Sequence, residues 1–506
     1  MRPSWRLLRW HVTALCVVVV CFSPTVLSAQ PHLPAGFADD LDAFVSRVME
    51  TNLAPGMAVA VVRGPDLIYA KGFGFADRER GKRANADTEF YIASTTKSFT
   101  ALTGALLANR GDLDLDAPLS RYLPDVRLHE GLDPQSITLR NLLTHTHGIQ
   151  PGGPVDLRTA FSGEFTDSLL LQLLKYHPPA TTGREFAYSN LGYNIFSLVL
   201  DAKFNDGWKA IVDQEVFRPL GMKRTTAFVS KADQDNIAVP YRFDGNSSQR
   251  VAFAKRDANM QAAGGHLSSA NDLARYLQAH LNHGRIEGKQ LLPAAVVDAT
   301  HAQQVPQNRR FGPFVRFGWG LGWDMATYEG DTVLQRFGDF PGFRSHVSFM
   351  PERGIGVVVL TNDAVASPLT DLIAVYVYDR LLNKPDLAAK YSALPQQLLQ
   401  EQWAVLERER TTRSARPQVT PLPLSAYAGT YESVALGRMV WTFQDGRLNV
   451  KMGIAESGVE VYDGGKYQLR VTIFGGGSVV TFQVPDGAQR PTGLTLNDYE
   501  FQRIAE

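Results

Sequence analysis

Phe90-Tyr91-Ile92-Ala93-Ser94-Thr95-Thr96-Lys97-Ser98-Phe99-Thr100 is the stretch around which this chain is organised, and an apolar helical run follows it as far as Gly111. Ser94 is the only serine in the chain with a lysine three residues on, Lys97. In a helix beginning here, positions i and i+3 share a face, so the lysine amine reaches the serine hydroxyl. A serine hydroxyl is a weak nucleophile until a base sits beside it. A lysine desolvated by burial is neutral enough to be that base. Leu102, Ala105, Leu106 and Asn109 continue the helix, and Gly111 stops it. The same spacing also occurs on ordinary solvated helices, so its weight depends on the rest of the chain.

The 506 residues are 44% hydrophobic and 20% charged, the balance of a globular protein, and 51 basic residues cancel 51 acidic ones. That balance gives no reason to expect a nucleic-acid partner or an acidic tail. Arg2, Arg6 and Arg9 precede an apolar run from Val12 to Phe22, and Leu27-Ser28-Ala29 offers small residues for cleavage. Residues 1–29 therefore read as a secretory signal peptide, and the apolar run is short for a membrane span. The expected location is periplasmic or secreted, with no stable span after cleavage. Both cysteines, Cys16 and Cys21, fall inside this segment, so the mature chain has no disulfide, thiol nucleophile or thiolate metal site.

Asp39–Asn52 has apolar residues at helical spacing. Met57–Val62 and Leu67–Lys71 flank Arg63-Gly64-Pro65-Asp66 and predict a β-hairpin, which sets Ser94 at a sheet-to-helix junction. His145-Thr146-His147 has the spacing of metal ligands, but a helix end closed by Gly148 explains it, and no third ligand cluster is near. No metal or cofactor is expected. Ser269 or Asn271 caps a helix over Asp272–Asn282. Arg344–Met350 and Ile355–Thr361 form a second hairpin, and a helix over Leu369–Leu382 closes the domain. Residues 384–423 read as a linker with a helical piece at Leu398–Glu409 and a proline-bearing end. From 424 to 506 short strands and glycine turns predict a small all-β, barrel-like domain.

The chain contains one Tyr-x-Asn, Tyr188-Ser189-Asn190, immediately before the apolar helix Leu191–Leu200. A tyrosine hydroxyl relays a proton to a leaving group and an asparagine amide holds a carbonyl. Ser94-Thr95-Thr96-Lys97 and Tyr188-Ser189-Asn190, in this order, resemble the first two motifs of the serine β-lactamase and penicillin-binding protein superfamily, and more closely its class C-like branch of esterases and D-peptidases. Ile137-Thr138-Leu139-Arg140-Asn141-Leu142-Leu143-Thr144-His145-Thr146, Pro219-Leu220-Gly221-Met222 and Gly264-Gly265 resemble the same branch. The resemblance covers roughly residues 37–382, and the linker with its β-domain is similar to a C-terminal extension of some members.

The resemblance implies an α+β fold over residues 30–383, an antiparallel sheet flanked by helices with an all-α lobe, and a site between them. It implies acyl transfer, with Ser94 as nucleophile and Lys97 and Tyr188 as general bases, the principal one left open. The backbone N–H groups of Ser94 and Asp339 are expected to form an oxyanion hole. Asn190, Arg336, Gly338 and Asp339 are the expected substrate-binding residues. The third motif departs from the pattern. Aligned on Pro341-Gly342-Phe343, the slot for Lys or His, any residue, then Gly holds Arg336-Phe337-Gly338, followed by Asp339. Arg336 and Asp339 are expected to line the pocket together with their charges paired, which disfavours carboxylate-bearing β-lactams and peptides. The expected function is an exported serine hydrolase acting on an ester, amide or D-amino-acid peptide bond of a small molecule or peptide. The alternative is a binding or regulatory protein that has the fold without turnover. No Gly-x-Ser-x-Gly and no His-Glu-x-x-His supports another hydrolase class.

Overall fold

A computed structural model describes residues 1, 33–251 and 255–504. The proposed signal peptide, 1–29, lies outside the described residues apart from Met1. Among the described residues, nine antiparallel strands form the main sheet in the order Val305–Phe311, Phe314–Trp319, Asp324–Tyr328, Asp331–Phe340, Phe343–Met350, Ile355–Thr361, Gly56–Arg63, Asp66–Asp77, Lys82–Arg83. Gly56–Arg63 is an interior strand, buried almost throughout. Its side chains alternate between faces, as a strand requires. Ala58, Ala60 and Val62 enter one core, while Met57, Val59 and Val61 enter the other. The sheet is thus covered on both sides, which is why this strand reads as a continuous apolar run.

On one side lie the terminal helices Phe37–Met49 and Ser367–Leu381, joined by stacking of Phe44 on Tyr376 at 4.0 Å. On the other lie Thr96–Asn109 and Ala270–Leu281, the latter capped by the Ser269 hydroxyl, which accepts from the Asp272 N–H. Every residue from Thr96 to Leu107 is buried, so the helix carrying Lys97 is enclosed rather than amphipathic. Helices and loops between residues 119 and 221 build the α-lobe, including Leu191–Lys203 directly after Tyr-x-Asn.

Residues 384–423 contain the helices Leu387–Ser392 and Leu394–Ser414. Leu394, Leu398, Leu399 and Leu406 pack against the core on the terminal-helix side of the sheet. Beyond them a second nine-stranded antiparallel sheet runs from Ala455–Gly458 at one edge to Glu460–Asp463 at the other. It curls until the edges approach. Ser457 Oγ accepts from the Thr472 N–H at 2.8 Å and lies 2.9 Å from Thr472 Oγ1, so the barrel is nearly closed.

The barrel leans on the α-lobe. The Ile454 N–H donates to Ser162 O at 2.9 Å, and Arg158 Nε donates to Ala435 O at 2.7 Å. Phe161 lies between Phe340 of the main sheet and Phe474 of the barrel, at centroid distances of 5.5 and 5.3 Å.

Candidate active site

Ser94 sits on a tight turn, Ala93–Thr95, that feeds the helix Thr96–Asn109. Ala93 holds φ at 45°, a left-handed conformation that costs a non-glycine residue about 1–2 kcal/mol. The surroundings fix it there. Ser345 Oγ donates to Ile92 O at 2.8 Å and lies 2.8 Å from Thr95 Oγ1. The His266 N–H donates to Thr96 Oγ1, and the Ile92 N–H donates to His266 O. Strain held by such over-determined contacts is common at functional sites. The Ser94 N–H lies at the start of a helix, where amides lack intrahelical partners.

Lys97 is fully buried, and its Nζ reaches Asn190 Oδ1 at 2.6 Å, Ala263 O at 2.8 Å and Ser94 Oγ at 3.1 Å. The first two can only accept hydrogen bonds. A neutral amine has two hydrogens and one lone pair, so filling those acceptors turns the lone pair toward Ser94 Oγ. Burial lowers the Lys97 pKa and the Arg336 charge lowers it further, while Tyr188 and Asp156 pull the other way.

Tyr188 stands beside Lys97, whose Nζ lies 4.8 Å from the tyrosine ring centre. The residue is 36% exposed. Burial acts to raise its pKa, but the charges of Lys97 and Arg336 override that and hold it at about 8. Hydrogen bonding to Lys97 and Ser94 acts in the same direction. The loop is propped from behind. His145 Nδ1 accepts from the Ser189 N–H at 3.1 Å and His147 Nδ1 from the Ile149 N–H at 3.1 Å. Burial depresses the pKa of both imidazoles, so they are neutral. The His-x-His pair therefore serves as two loop struts, and among the described residues no group of three or more candidate ligands could hold a metal ion.

The strand Asp331–Phe340 closes the site. Its neighbour Asp324–Tyr328 pairs only with residues 331–335, so the edge is open from Arg336 onward. A Cβ on Gly338 would lie 1.9 Å from Ile92 O, so only glycine allows the edge to approach the Ser94 turn this closely. The hairpin turn Pro341-Gly342 joins the pair Phe340 and Phe343. Antiparallel alternation from that two-residue turn places the Asp339 N–H on the open edge, facing away from Phe343–Met350.

The expected pairing of Arg336 with Asp339 is not found. Positions three apart on a strand face opposite sides of the sheet. Arg336 turns inward and is 2% exposed. Its Nη1 donates to Asp324 Oδ2 at 2.9 Å, and its Nη2 to Ser94 O at 3.0 Å and to the Tyr188 hydroxyl at 3.3 Å. The Asp339 side chain faces the other side, is 60% exposed and lies 3.7 Å from Arg344. Only the Asp339 main chain belongs to the site, so the expectation that its side chain lines the pocket is corrected.

Ser94, Lys97, Tyr188, Asn190, Arg336 and Gly338 thus converge. Three participants have no motif of their own. Ala263 supplies a carbonyl from the turn before Gly264-Gly265, Asp324 supplies the counter-charge to Arg336, and Trp319 places its ring 4.9 Å from the Arg336 guanidinium. The glycine pair was the only sequence signal near any of them.

Residues 41–379 match the family model described as Beta-lactamase. The chain is 30% identical over 403 residues to "Esterase EstB" of Burkholderia gladioli, spanning 71% of this chain and 98% of the esterase. It is 28% identical over 362 residues to the "D-alanyl-D-alanine-carboxypeptidase/endopeptidase AmpH" of Escherichia coli K12, spanning 68% of this chain and 89% of that one. Among solved structures, D-amino acid amidase from Ochrobactrum anthropi SV3 superimposes with a TM-score of 0.57 at 19% identity, covering 68% of this chain and 99% of the amidase. At that identity the likeness concerns the fold.

Proposed function

The chain belongs to the β-lactamase family and is a serine hydrolase of that family, and from this premise we propose that it forms an acyl-enzyme on Ser94 and cleaves an uncharged ester, amide or D-amino-acid peptide bond. The observation that carries the proposal is the Lys97 amine held by Asn190 Oδ1 and Ala263 O with its remaining valence toward Ser94 Oγ.

In the proposed reaction Ser94 Oγ attacks the substrate carbonyl and Lys97 takes its proton. The carbonyl oxygen becomes an anion, received by the N–H groups of Ser94 and Asp339. The Tyr188 hydroxyl protonates the leaving group and is left as a phenolate, which Lys97 and Arg336 stabilise. In the second half the phenolate takes a proton from water, and the hydroxide attacks the ester carbon. Ser94 Oγ departs with the proton stored on Lys97. Each residue then returns to its starting form.

The preference for uncharged substrates rests on Arg336. In the family's pattern this slot offers a cation to an incoming carboxylate. Here the guanidinium is buried and already engaged by Asp324, Ser94 O and Tyr188, so little positive potential remains for the substrate. The relatives bracket the same bonds, since one is an esterase, one a carboxypeptidase/endopeptidase and one an amidase. A binding protein without turnover has no use for a desolvated lysine poised on a serine. Arg2, Arg6, Arg9 and the apolar run after them support export with removal after about Ala29. N-terminal sequencing of the exported protein tests this, and recovery of intact Met1–Ala29 in membranes would refute it.

The deciding experiment is Ser94→Ala, assayed with p-nitrophenyl butyrate and a fluorescent fluorophosphonate. Turnover and covalent labelling should both vanish while circular dichroism stays native. Activity within about tenfold of wild type, a barrier change of only ~1.4 kcal/mol, would remove Ser94 as nucleophile.

A further inference from the structure

Behind the Lys97 cradle lies a second cluster of buried polar side chains that the reaction above does not use. Asp156 and Gln261 are 8% and 7% exposed, and Asn194 and Thr159 are 2% and 3% exposed. Asn194 Nδ2 donates to Asp156 Oδ1 at 2.8 Å, to Gln261 Oε1 at 2.9 Å and to Thr159 Oγ1 at 3.3 Å. Thr159 Oγ1 also lies 3.2 Å from Gln261 Oε1. The cluster joins three separate parts of the chain. Asn194 stands one helical turn beyond Asn190, whose Oδ1 accepts from Lys97. Gln261 stands two residues before Ala263, whose carbonyl also accepts from Lys97. Asp156 and Thr159 come from the α-lobe segment 153–162.

We propose that Asp156 is a positioning residue for the Ser94 reaction: through Asn194 and Gln261 it fixes the two acceptors that aim the Lys97 amine, and its carboxylate stabilises the ammonium formed when Lys97 takes the Ser94 proton. The inference rests on the reading of Ser94 as nucleophile and goes further, to a buried acid outside the motifs.

The charges around the pair are few. Lys97 faces Tyr188, Arg336, Asp156, the neutral His145 and the Tyr193 ring at 5.6 Å. Asp156 faces Lys97 from the nucleophile helix and Tyr499 from the barrel, and the His177 ring packs against Gly153 nearby. The helix Leu191–Lys203 brings it only the neutral Asn194, and the 261–265 turn only Gln261. Burial drives the Asp156 pKa up to about 7, against the pull of Asn194 and Lys97. The carboxylate is therefore ionised above about neutral pH. An anion there raises the basicity of Lys97, as a nearby opposite charge does.

Asp156→Asn removes the charge and keeps an oxygen for Asn194. It should produce two linked changes in kcat/KM for p-nitrophenyl butyrate. The acid limb should move to lower pH by roughly one unit, the scale of one lost neighbouring charge. The plateau should fall roughly three- to tenfold, because a weaker base takes the Ser94 proton less readily. Gln261→Met, which removes an acceptor and no charge, should lower kcat by roughly tenfold with KM within about twofold and leave the limb in place. A residue that only stabilises the fold would lower the amount of active enzyme, titrated with fluorophosphonate, without moving the limb. An Asp156→Asn profile superimposable on wild type, per active site, overturns the inference. Turnover surviving in Ser94→Ala overturns the underlying reading instead, so the two failures are distinct.

Discussion

Arg336 donates to the main-chain carbonyl of Ser94 at 3.0 Å while its other nitrogen holds Asp324 at 2.9 Å. The cation is therefore a brace between the edge strand and the Ser94 turn. It also sets the electrostatics of the proton carriers, since it lowers the pKa of both Tyr188 and Lys97. Each of Lys97 and Tyr188 shifts the other's pKa, so the two titrate as a pair. In the proposed reaction the working form carries one proton over the two groups, and adding a second at low pH blocks the base.

Activity should accordingly rise with pH through about 8, the value to which Tyr188 is held. Arg336→Met removes a cation that favours proton loss from both groups, so the limb should move to higher pH. Asp324 keeps Arg316 at 3.4 Å in that variant, so it is not left unpaired. The check is a kcat/KM profile from pH 6 to 10. A limb that stays in place would show that Arg336 does not tune the pair.

Lys97→Ala and Tyr188→Phe should each slow acylation by at least ~100-fold, the scale of a lost acid–base group. Single-turnover kinetics with a chromogenic ester measures this. Unchanged kinetics in Tyr188→Phe would reduce Tyr188 to a loop residue.

Nitrocefin and penicillins should be turned over at least about tenfold less efficiently than p-nitrophenyl butyrate, a difference of ~1.4 kcal/mol in transition-state binding. Asp339→Ser should leave that ratio within about threefold, because the carboxylate faces the far side of the sheet beside Arg344. A large gain in nitrocefin hydrolysis on Asp339→Ser would mean that its charge reaches the pocket.

Gly338→Ala should cost stability and nearly all activity. The added methyl would sit 1.9 Å from Ile92 O and 2.5 Å from Ser345 Oγ, so the edge strand must retreat from the Ser94 turn. Overpacking of this kind costs roughly 1–3 kcal/mol. A thermal melt reads the first effect and ester turnover the second. A variant with native melting and native turnover would show that the close approach of strand and turn is dispensable.

What was legible in the chain depended on how far the interacting groups lie apart in sequence. Ser94 and Lys97 are joined by helical spacing, and Tyr188 and Asn190 by a short loop before a helix. The hairpin at residues 56–77 and the strands 344–361 followed from alternation and turn residues. Asp324 and Ser345 were not legible. Asp324 meets Arg336 and Ser345 meets the Ser94 turn by a register that only tertiary packing sets. Ala263 acts through a carbonyl, which every residue carries. The split between Arg336 and Asp339 was accessible in principle, since an odd separation on a strand separates the faces, but the motif alignment treated them as one edge. The segment 384–423, read as a linker with a helical piece at Leu398–Glu409, holds the longer helix Leu394–Ser414, whose leucines find a core to lie on.

The seating of the barrel on the α-lobe bears on how the molecule is made. Ribosomes make the chain from its N-terminus, so every side chain of the candidate site is synthesised before the barrel strands that begin at Gly429. Until those strands close, Arg158 lacks the Ala435 carbonyl, Ser162 lacks the Ile454 amide, and Phe161 has no Phe474 beside it. Segment 153–162 carries Asp156 and Thr159 behind Lys97, so residues 435–474 of the barrel brace a wall of a site whose own side chains are made earlier. A nascent chain thus carries every side chain of the candidate site before the barrel contacts that brace its wall exist.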